Sequence, residues 1–157
     1  MTGFKNITII KAGLNELDLV AGLFDQHRVF CKQASAFLEG RAYLKERIER
    51  KESVIFLAVD QKSCGDVKPL GFVQLYPTFS TLSMKRVWIL NDLFVDPTAR
   101  RNGIAKQLML KAKAFVIDTG AKGLRVETAT DNKKAQHLYE SLGYQKDVRG
   151  FHYHYYF

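Results

Sequence analysis

Three apolar segments that follow one another closely constrain the fold of this chain more than any other feature. Residues 54–59, 70–76 and 87–95 are rich in β-branched, aromatic and other apolar residues, which is typical of strands. A polar turn at 60–68 and a loop or short strand extension at 77–85 connect them. Consecutive strands with short connections usually pair with their neighbours. We therefore expect an antiparallel meander.

Further elements are predicted on both sides of the meander. Residues 5–10 alternate like a first strand, and apolar residues at three- and four-residue spacing predict one helix through Leu17, Val20 and Phe24 and a second after Ser35. Four segments follow the meander: a helix at 104–118, a strand at 124–128, a helix at 132–142 and a tail that alternates like a final hairpin. The expected order is β-α-α-β-β-β-α-β-α-β-β, a mixed α/β (α+β) fold.

The length and composition favour a single globular domain, residues 1–157. The chain has 157 residues, of which 46% are hydrophobic and 25% charged. It contains no run of about eighteen apolar residues, the length a membrane span requires. The N-terminus shows no apolar run with a cleavage site after it, so we expect a cytoplasmic protein.

The net charge and the two cysteines indicate which partners and cofactors to expect. A net charge of +8 suits an anionic partner, which could be nucleic acid, a membrane surface or a polyphosphate cofactor. The basic residues are scattered among acidic ones and no common nucleic-acid-binding motif is present, so we expect neither nucleic acid nor membrane as a partner. Cys31 and Cys64 are the only cysteines and lie far apart in the sequence, so a zinc site is unsupported and no metal is expected.

The loop at residues 100–105 carries the main chemical signal. It connects the strand ending at Val95 to a helix, and a strand-loop-helix connection presents free backbone N–H groups and the positive end of the helix dipole. Gly103 allows a ligand to approach the backbone closely, while Arg100 and Arg101 add positive charge. The loop therefore suits a phosphate, although a helix start with a turn glycine and solvated arginines explains it equally well.

Two motifs decide between these interpretations. Arg100, Gly103 and Ala105 resemble the Gln/Arg-x-x-Gly-x-Gly/Ala signature of the GNAT superfamily of N-acetyltransferases. Residues 132–144 resemble that family's Asn-x-x-Ala-x-x-x-Tyr-x-x-x-Gly-Phe/Tyr segment. Two matches in the expected order are much stronger than either alone. The resemblance implies a mixed, mostly antiparallel central sheet flanked by helices, and acetyl-CoA as co-substrate.

The resemblance also implies where the cofactor binds. In the family, the strand before the loop separates from the next strand, here near Val95 and Thr128, and the pantetheine arm lies between them. Backbone groups of Leu93 and Val95 would then pair with the pantetheine amides. The implied cofactor-binding residues are Leu93, Phe94, Val95, Arg100, Arg101, Asn102, Gly103, Ile104, Ala105, Asn132 and Lys134.

Tyr139 corresponds to the family's general acid. A phenol titrates near 10 and a thiol near 8.5, so a tyrosine stays protonated at neutral pH and can donate a proton to the departing thiolate. Without the resemblance, packing of Tyr139 with Leu138 and Leu142 in a core would be the favoured interpretation.

The group that accepts the proton of the amine is less defined. Residues 88–95 resemble a strand of the polyamine acetyltransferases, where a Glu-Asp pair occupies the positions of Asn91 and Asp92. An amide is not a useful base. Three alternatives remain open: Asp92 is the base, a water held by Asn91 is the base, or the amine arrives neutral. A purely structural Asp92 is equally consistent with the sequence.

The acceptor is expected between the first helices, the meander loop and the tail. The substrate-binding candidates are His27, Arg28, Tyr76 and Asn91, with Asp25, Phe30 and Phe79 nearby. We expect a primary amine, either of a small molecule such as a polyamine or of a lysine side chain. A non-catalytic coenzyme-A-binding sensor or assembly module is the alternative. The aromatic tail at 151–157 offers apolar surface for a homodimer.

Overall fold

A computed structural model describes residues 4, 6–61 and 65–157. The strands are β1 (Ile7–Ala12), β2 (Val54–Gln61), β3 (Val67–Ser80), β4 (Lys85–Val95) and β5 (Gly123–Val126). The α-helices are α1 (Leu17–Phe30), α2 (Phe37–Glu49), α3 (Ile104–Asp118) and α4 (Lys133–Ser141). Short 3-10 turns lie at Leu14–Glu16 and Pro97–Ala99. Cys64 and part of the turn expected at 60–68 lie outside the described residues.

The five strands form one sheet in the order β1-β2-β3-β4-β5. Each of the first four strands is antiparallel to its neighbour, which confirms the meander. β5 joins β4 in parallel, from Val87 opposite Gly123 to Leu90 opposite Val126, after a crossover through α3. The sheet is therefore mixed and mostly antiparallel, as the resemblance implied.

Alternating side chains of β2 divide the sheet into two covered faces. Ile55, Leu57 and Val59 belong to a buried cluster that also contains Leu23 of α1 and Leu44 of α2. On the opposite face, the ring of Phe56 meets the ring of Phe115 in α3, with 5.6 Å between their centroids. Because each face of the sheet is covered by helices, the strands between them are apolar on both sides. This explains the continuous apolar runs in the sequence.

The chain divides into two compact units, Met1–Val126 and Glu127–Phe157. The second unit contains α4, whose start is capped by Asn132: its side-chain oxygen accepts a hydrogen bond of 3.2 Å from the amide of Ala135. Gly143 follows the helix with a φ of 87°, a left-handed conformation that suits glycine. The helix expected at 132–142 is confirmed, and the single-domain organisation stays a prediction.

The expected final hairpin was wrong. Residues 145–157 contain no helix or strand, and Phe151 and Tyr153 are 89% and 91% exposed. Alternation in a sequence describes only where side chains would point, whereas a strand forms only where its backbone groups find a paired partner. The aromatic alternation of the tail has no such partner among the described residues.

No helix in the described part of the chain is both long and apolar enough to cross a membrane.

Candidate active site

A β-bulge in β4 defines the site. Gln74 pairs with Asp92 and Leu75 pairs with Leu90, so Asn91 is an extra residue in β4 with no partner position in β3. Pairing between β4 and β5 also ends at Leu90. From Asn91 to Val95, β4 is therefore paired only with β3 within the first unit. Its other edge leaves backbone groups available for a ligand.

Asp92, just after the bulge, is a largely buried carboxylate with three polar partners. Its Oδ2 accepts hydrogen bonds from Gln74 Nε2 at 2.9 Å and from Asn91 Nδ2 at 3.0 Å. Its Oδ1 lies 3.4 Å from Nε2 of His27. Burial by itself would raise the pKa of Asp92, but the hydrogen bonds from His27, Gln74 and Asn91 outweigh burial and lower this pKa below the ordinary value. Asp92 is therefore ionised at neutral pH.

His27 connects α1 to this carboxylate. Its ring lies 5.4 Å from the ring of Phe94 and 6.1 Å from the ring of Phe72, measured between centroids. Its Nδ1 lies 3.9 Å from Sγ of Cys31, one helical turn further along. Because Asp92 faces Nε2, a proton on that nitrogen would leave Nδ1 as the basic nitrogen of a neutral ring.

A cavity of about 280 Å³ opens beside Asp92 and His27. It is lined by Phe24, His27, Arg28, Cys31, Gln33, Tyr43, Tyr76, Asn91 and Asp92. The structure thus brings together all four expected substrate-binding residues and the candidate base.

Two tyrosines form one wall of the cavity. The hydroxyls of Tyr43 and Tyr76 are 2.9 Å apart, and the ring of Tyr43 stacks on Phe24 with the planes 7° apart. Burial and the hydrogen bond with Tyr43 raise the pKa of Tyr76 well above the ordinary value for a phenol. Tyr76 therefore stays protonated at neutral pH, and both rings offer aromatic surface to an acceptor.

Three other residues named for the acceptor lie outside this cavity. Asp25 and Phe30 line a separate cavity of about 380 Å³. Phe79 is 72% exposed, with the guanidinium of Arg86 5.1 Å from its ring centroid. It lies at the far end of β3, where the hairpin leaves the sheet.

Sequence reasoning missed two important residues of the site, Gln74 and Tyr43. Gln74 is fully buried, and a lone amide within the apolar segment 70–76 was a signal of a polar partner inside the sheet. Tyr43 lies on α2, whose helical pattern predicted no functional role. Its position opposite Tyr76 depends on how the helix packs on the sheet.

Hydrogen bonds within the loop after β4 fix its conformation. Asp96 Oδ1 accepts a bond from the amide of Thr98 at 2.8 Å, and Asn102 Nδ2 donates to the carbonyls of Ala99 and Arg100 at 3.0 and 3.1 Å. Gly103 has a φ of 72° and precedes α3 as its N-cap residue, and no side chain among the described residues caps this end. The first helical turn therefore keeps free N–H groups, which suit an anion.

The two arginines of the loop differ in their surroundings. Arg100 donates from Nε to the carbonyl of Val95 at 3.2 Å, and its guanidinium lies 5.4 Å from the ring centroid of Phe30. It therefore fixes the loop against α1 as well as supplying charge. Arg101 is exposed and has a φ of 66°, which turns the chain into the helix.

The second unit contains the candidate acid and two candidate cofactor ligands. Burial raises the pKa of Tyr139, whose ring centroid lies 6.0 Å from that of Tyr144, and burial also raises the pKa of Tyr144 to about 12. Tyr139 is thus protonated at neutral pH. The side-chain oxygen of Asn132 is used by the helix cap, which leaves its amide nitrogen for a ligand. Lys134 is exposed.

Within the described residues, no group of three or more His, Cys, Asp or Glu side chains is arranged to hold a metal ion.

Known proteins similar to this chain place it in a family. A model described as the acetyltransferase (GNAT) family matches residues 23–144. YhfO, an uncharacterized N-acetyltransferase of Bacillus subtilis, is 44% identical over 147 residues, covering 94% of this chain and 95% of that protein. A probable acetyltransferase of Haemophilus influenzae is 33% identical over 137 residues, covering 87% and 89%.

A solved structure agrees with the sequence relatives. The crystal structure of a probable acetyltransferase has a TM-score of 0.89 and 43% sequence identity, covering 96% of this chain and 97% of that chain. The resemblance seen in two short motifs thus extends over nearly the whole chain. The chain belongs to the GNAT family of acetyltransferases.

Proposed function

We propose that this enzyme transfers the acetyl group of acetyl-CoA to a primary amine by direct attack in a ternary complex. The acceptor is a small molecule such as a polyamine, or a lysine side chain. The observation that carries the proposal is the ionised carboxylate of Asp92, which lines a cavity and lies at the start of the open edge of β4. An anion in this position attracts the ammonium group of an acceptor to the place where acetyl-CoA would bind.

The cofactor side of the proposal depends on β4 and on the loop. The free N–H groups of the first turn of α3, with Arg100 and Arg101, would bind the pyrophosphate. Backbone groups of Leu93 and Val95 on the open edge would pair with the pantetheine amides. Asn132 and Lys134 are proposed as further contacts from the second unit.

The proton of the amine would pass to the pair formed by Asp92 and His27. The lowered pKa of Asp92 makes this carboxylate a weak base on its own, so its better role is to attract the ammonium group and to orient the ring of His27. The amine nitrogen then forms a bond to the acetyl carbon and the carbon–sulfur bond breaks. Tyr139 donates a proton to the thiolate that leaves. An ammonium group loses two protons in all, one before the attack and one as the amide forms. One of them restores Tyr139 after coenzyme A has gained its proton, and the other is released to solvent.

Release of free thiol tests the proposal. Mixing the protein with acetyl-CoA and each member of a panel of polyamines, amino acids, aminoglycosides and lysine peptides should release coenzyme A with at least one class. In the polyamine acetyltransferases, an acidic residue occupies the position of Asn91. This difference motivates the alternative, a sensor that binds coenzyme A without turnover. Tight binding of acetyl-CoA with no thiol release across the panel would favour that alternative.

Three expectations from the sequence remain proposals about the whole protein. The family match crosses the boundary between the two units, which supports one catalytic domain spanning both. The exposed aromatic tail at 151–157 supports a homodimer, and a monomer by light scattering would contradict it. A cytoplasmic location is the third, to be checked by cell fractionation.

A further inference from the structure

The charges around the acceptor cavity are of both signs. Asp92 and Arg28 both line it, and Arg28 is the only lysine or arginine among the described residues that do so. A polyamine would satisfy the carboxylate but would also bring a second positive charge into a small cavity that Arg28 lines. A cavity with one fixed positive and one fixed negative charge is complementary to a ligand that also has one charge of each sign.

Arg28 is held in place without an ionic partner. Its Nη1 donates to the carbonyl of Ala34 at 3.1 Å, and no carboxylate among the described residues forms an ion pair with it. A guanidinium has five N–H donors, so donors remain for a ligand. Their planar arrangement suits a carboxylate, which can accept two of them side by side.

The nearest acidic residue on the same helix is already occupied. Asp25 accepts one hydrogen bond from the hydroxyl of Ser35 at 2.7 Å and one from the amide of Ala36 at 2.8 Å. It lines the other cavity, not this one. Asp25 therefore reduces the positive potential at Arg28 but does not take the place of a carboxylate inside the cavity.

We propose that the acceptor is a small amino acid, a molecule with a primary amine bound at Asp92 and His27 and a carboxylate bound at Arg28. The aromatic rings of Phe24, Tyr43 and Tyr76 would cover the aliphatic part between the two charged groups. The volume of about 280 Å³ is just below the range of ~300–1,000 Å³ for ligand pockets, which suits a molecule of this size. For catalysis, the inference rests on the proposed acetyl transfer.

Matched pairs of acceptors that differ only by a carboxylate test the proposal. β-Alanine and ethylamine form one pair, and 4-aminobutyrate and propylamine form another. In each pair the amino acid should have the higher kcat/KM, by on the order of ten-fold to a hundred-fold, because it adds one charged hydrogen-bonded contact. A ratio of one or below in every pair would overturn the proposal.

Variants of Arg28 identify the residue responsible. Arg28→Gln should bring the ratio of kcat/KM for the amino acid to kcat/KM for its matched amine close to one, by raising KM for the amino acids. Arg28→Lys should keep part of this preference. Arg50→Gln is the matched control, since Arg50 is exposed at the end of α2 and does not line the cavity. A ratio unchanged by Arg28→Gln would overturn the assignment to Arg28. Circular dichroism would verify that the variants are folded.

Equilibrium binding separates this inference from the proposed function. Nuclear magnetic resonance titration of the wild-type protein, saturated with coenzyme A, should show tighter binding of 4-aminobutyrate than of propylamine. If that preference is found without thiol release, the acetyl transfer is wrong and the zwitterion site stands. If propylamine is acetylated and binds as tightly as 4-aminobutyrate, the transfer stands and the zwitterion site is wrong.

Discussion

Nε2 of His27 lies 3.4 Å from Oδ1 of Asp92, which joins the last turn of α1 to the bulge of β4. The two residues are far apart in the sequence, and neither has a neighbour that suggests the other. Together they place an ionised carboxylate and an imidazole on the wall of one cavity. This pair is the centre of the chemistry that we propose.

Replacing Asp92 by Asn tests the role of its charge. Asp92→Asn keeps the shape and removes the anion, so kcat/KM for the amine should fall by about a hundred-fold or more while acetyl-CoA still binds. Steady-state thiol release and a direct acetyl-CoA titration would measure the two effects. Asp18→Asn is the control, because Asp18 is an exposed aspartate of α1 paired with Arg41. Equal activities of wild type and Asp92→Asn would remove Asp92 from the mechanism.

Asp92→Asn should also change how the stability of the fold depends on pH. The pKa of Asp92 in the folded state is lower than the value of 3.8 expected without its partners. Its ionisation therefore stabilises the fold above that value, and the stabilisation is lost as pH falls through the lowered pKa. The difference in unfolding free energy between wild type and Asp92→Asn should shrink on acidification from about pH 7 to about pH 3. Urea denaturation at several pH values would show it, and a constant difference would contradict it.

Gly71 is required by a close approach of two strands. A Cβ at this position would lie 2.7 Å from the carbonyl oxygen of Phe94 and 3.2 Å from Cα of Val95. Gly71→Ala should destabilise the fold by ~1–3 kcal/mol, as other overpacked substitutions do. In Gly123→Ala, also in a strand, the new Cβ would meet no atom within 4 Å and should cost little. Chemical denaturation of both variants measures the contrast, and similar costs would contradict it.

Substitution by alanine should change the stability of the fold in opposite directions at Gly103 and at Gly22. Gly103 has a φ of 72°, so alanine there is strained by about 1 kcal/mol although no atom obstructs its Cβ. Gly22 lies within α1, where alanine should stabilise by roughly 0.5–1 kcal/mol. Thermal melting of the two variants gives the signs. Gly103→Ala should also weaken acetyl-CoA binding if the loop holds the pyrophosphate, whereas Gly22→Ala should not.

Tyr139→Phe tests the proposed acid. It should lower kcat by roughly ten-fold to a hundred-fold without changing the affinity for acetyl-CoA, because only the proton donor is lost. Tyr144→Phe is the control, since the Tyr144 hydroxyl is buried and has no hydrogen-bond partner among the described residues. Burst and steady-state kinetics would separate chemistry from product release. If Tyr139→Phe turned over at the wild-type rate, another group would have to protonate the thiolate.

The sequence by itself determined the local elements and the family. The helix expected at 104–118 has the same bounds in the structure, and the meander strands are close to their expected positions. Periodicity encodes these elements because each depends on which face of one helix or strand is buried. The loop at 100–105 was recognisable for the same reason, since a helix start, a glycine and two arginines are all local.

Only the tertiary structure decided which residues meet. The bulge at Asn91 follows from the register between β3 and β4, and it fixes the pairing of Gln74 with Asp92. The contact of Tyr43 with Tyr76 depends on how α2 packs on the sheet. The tail had a strand-like pattern but no partner, so it did not become a strand. A sequence specifies side-chain faces residue by residue, whereas contacts across elements depend on packing and register, which no local pattern contains.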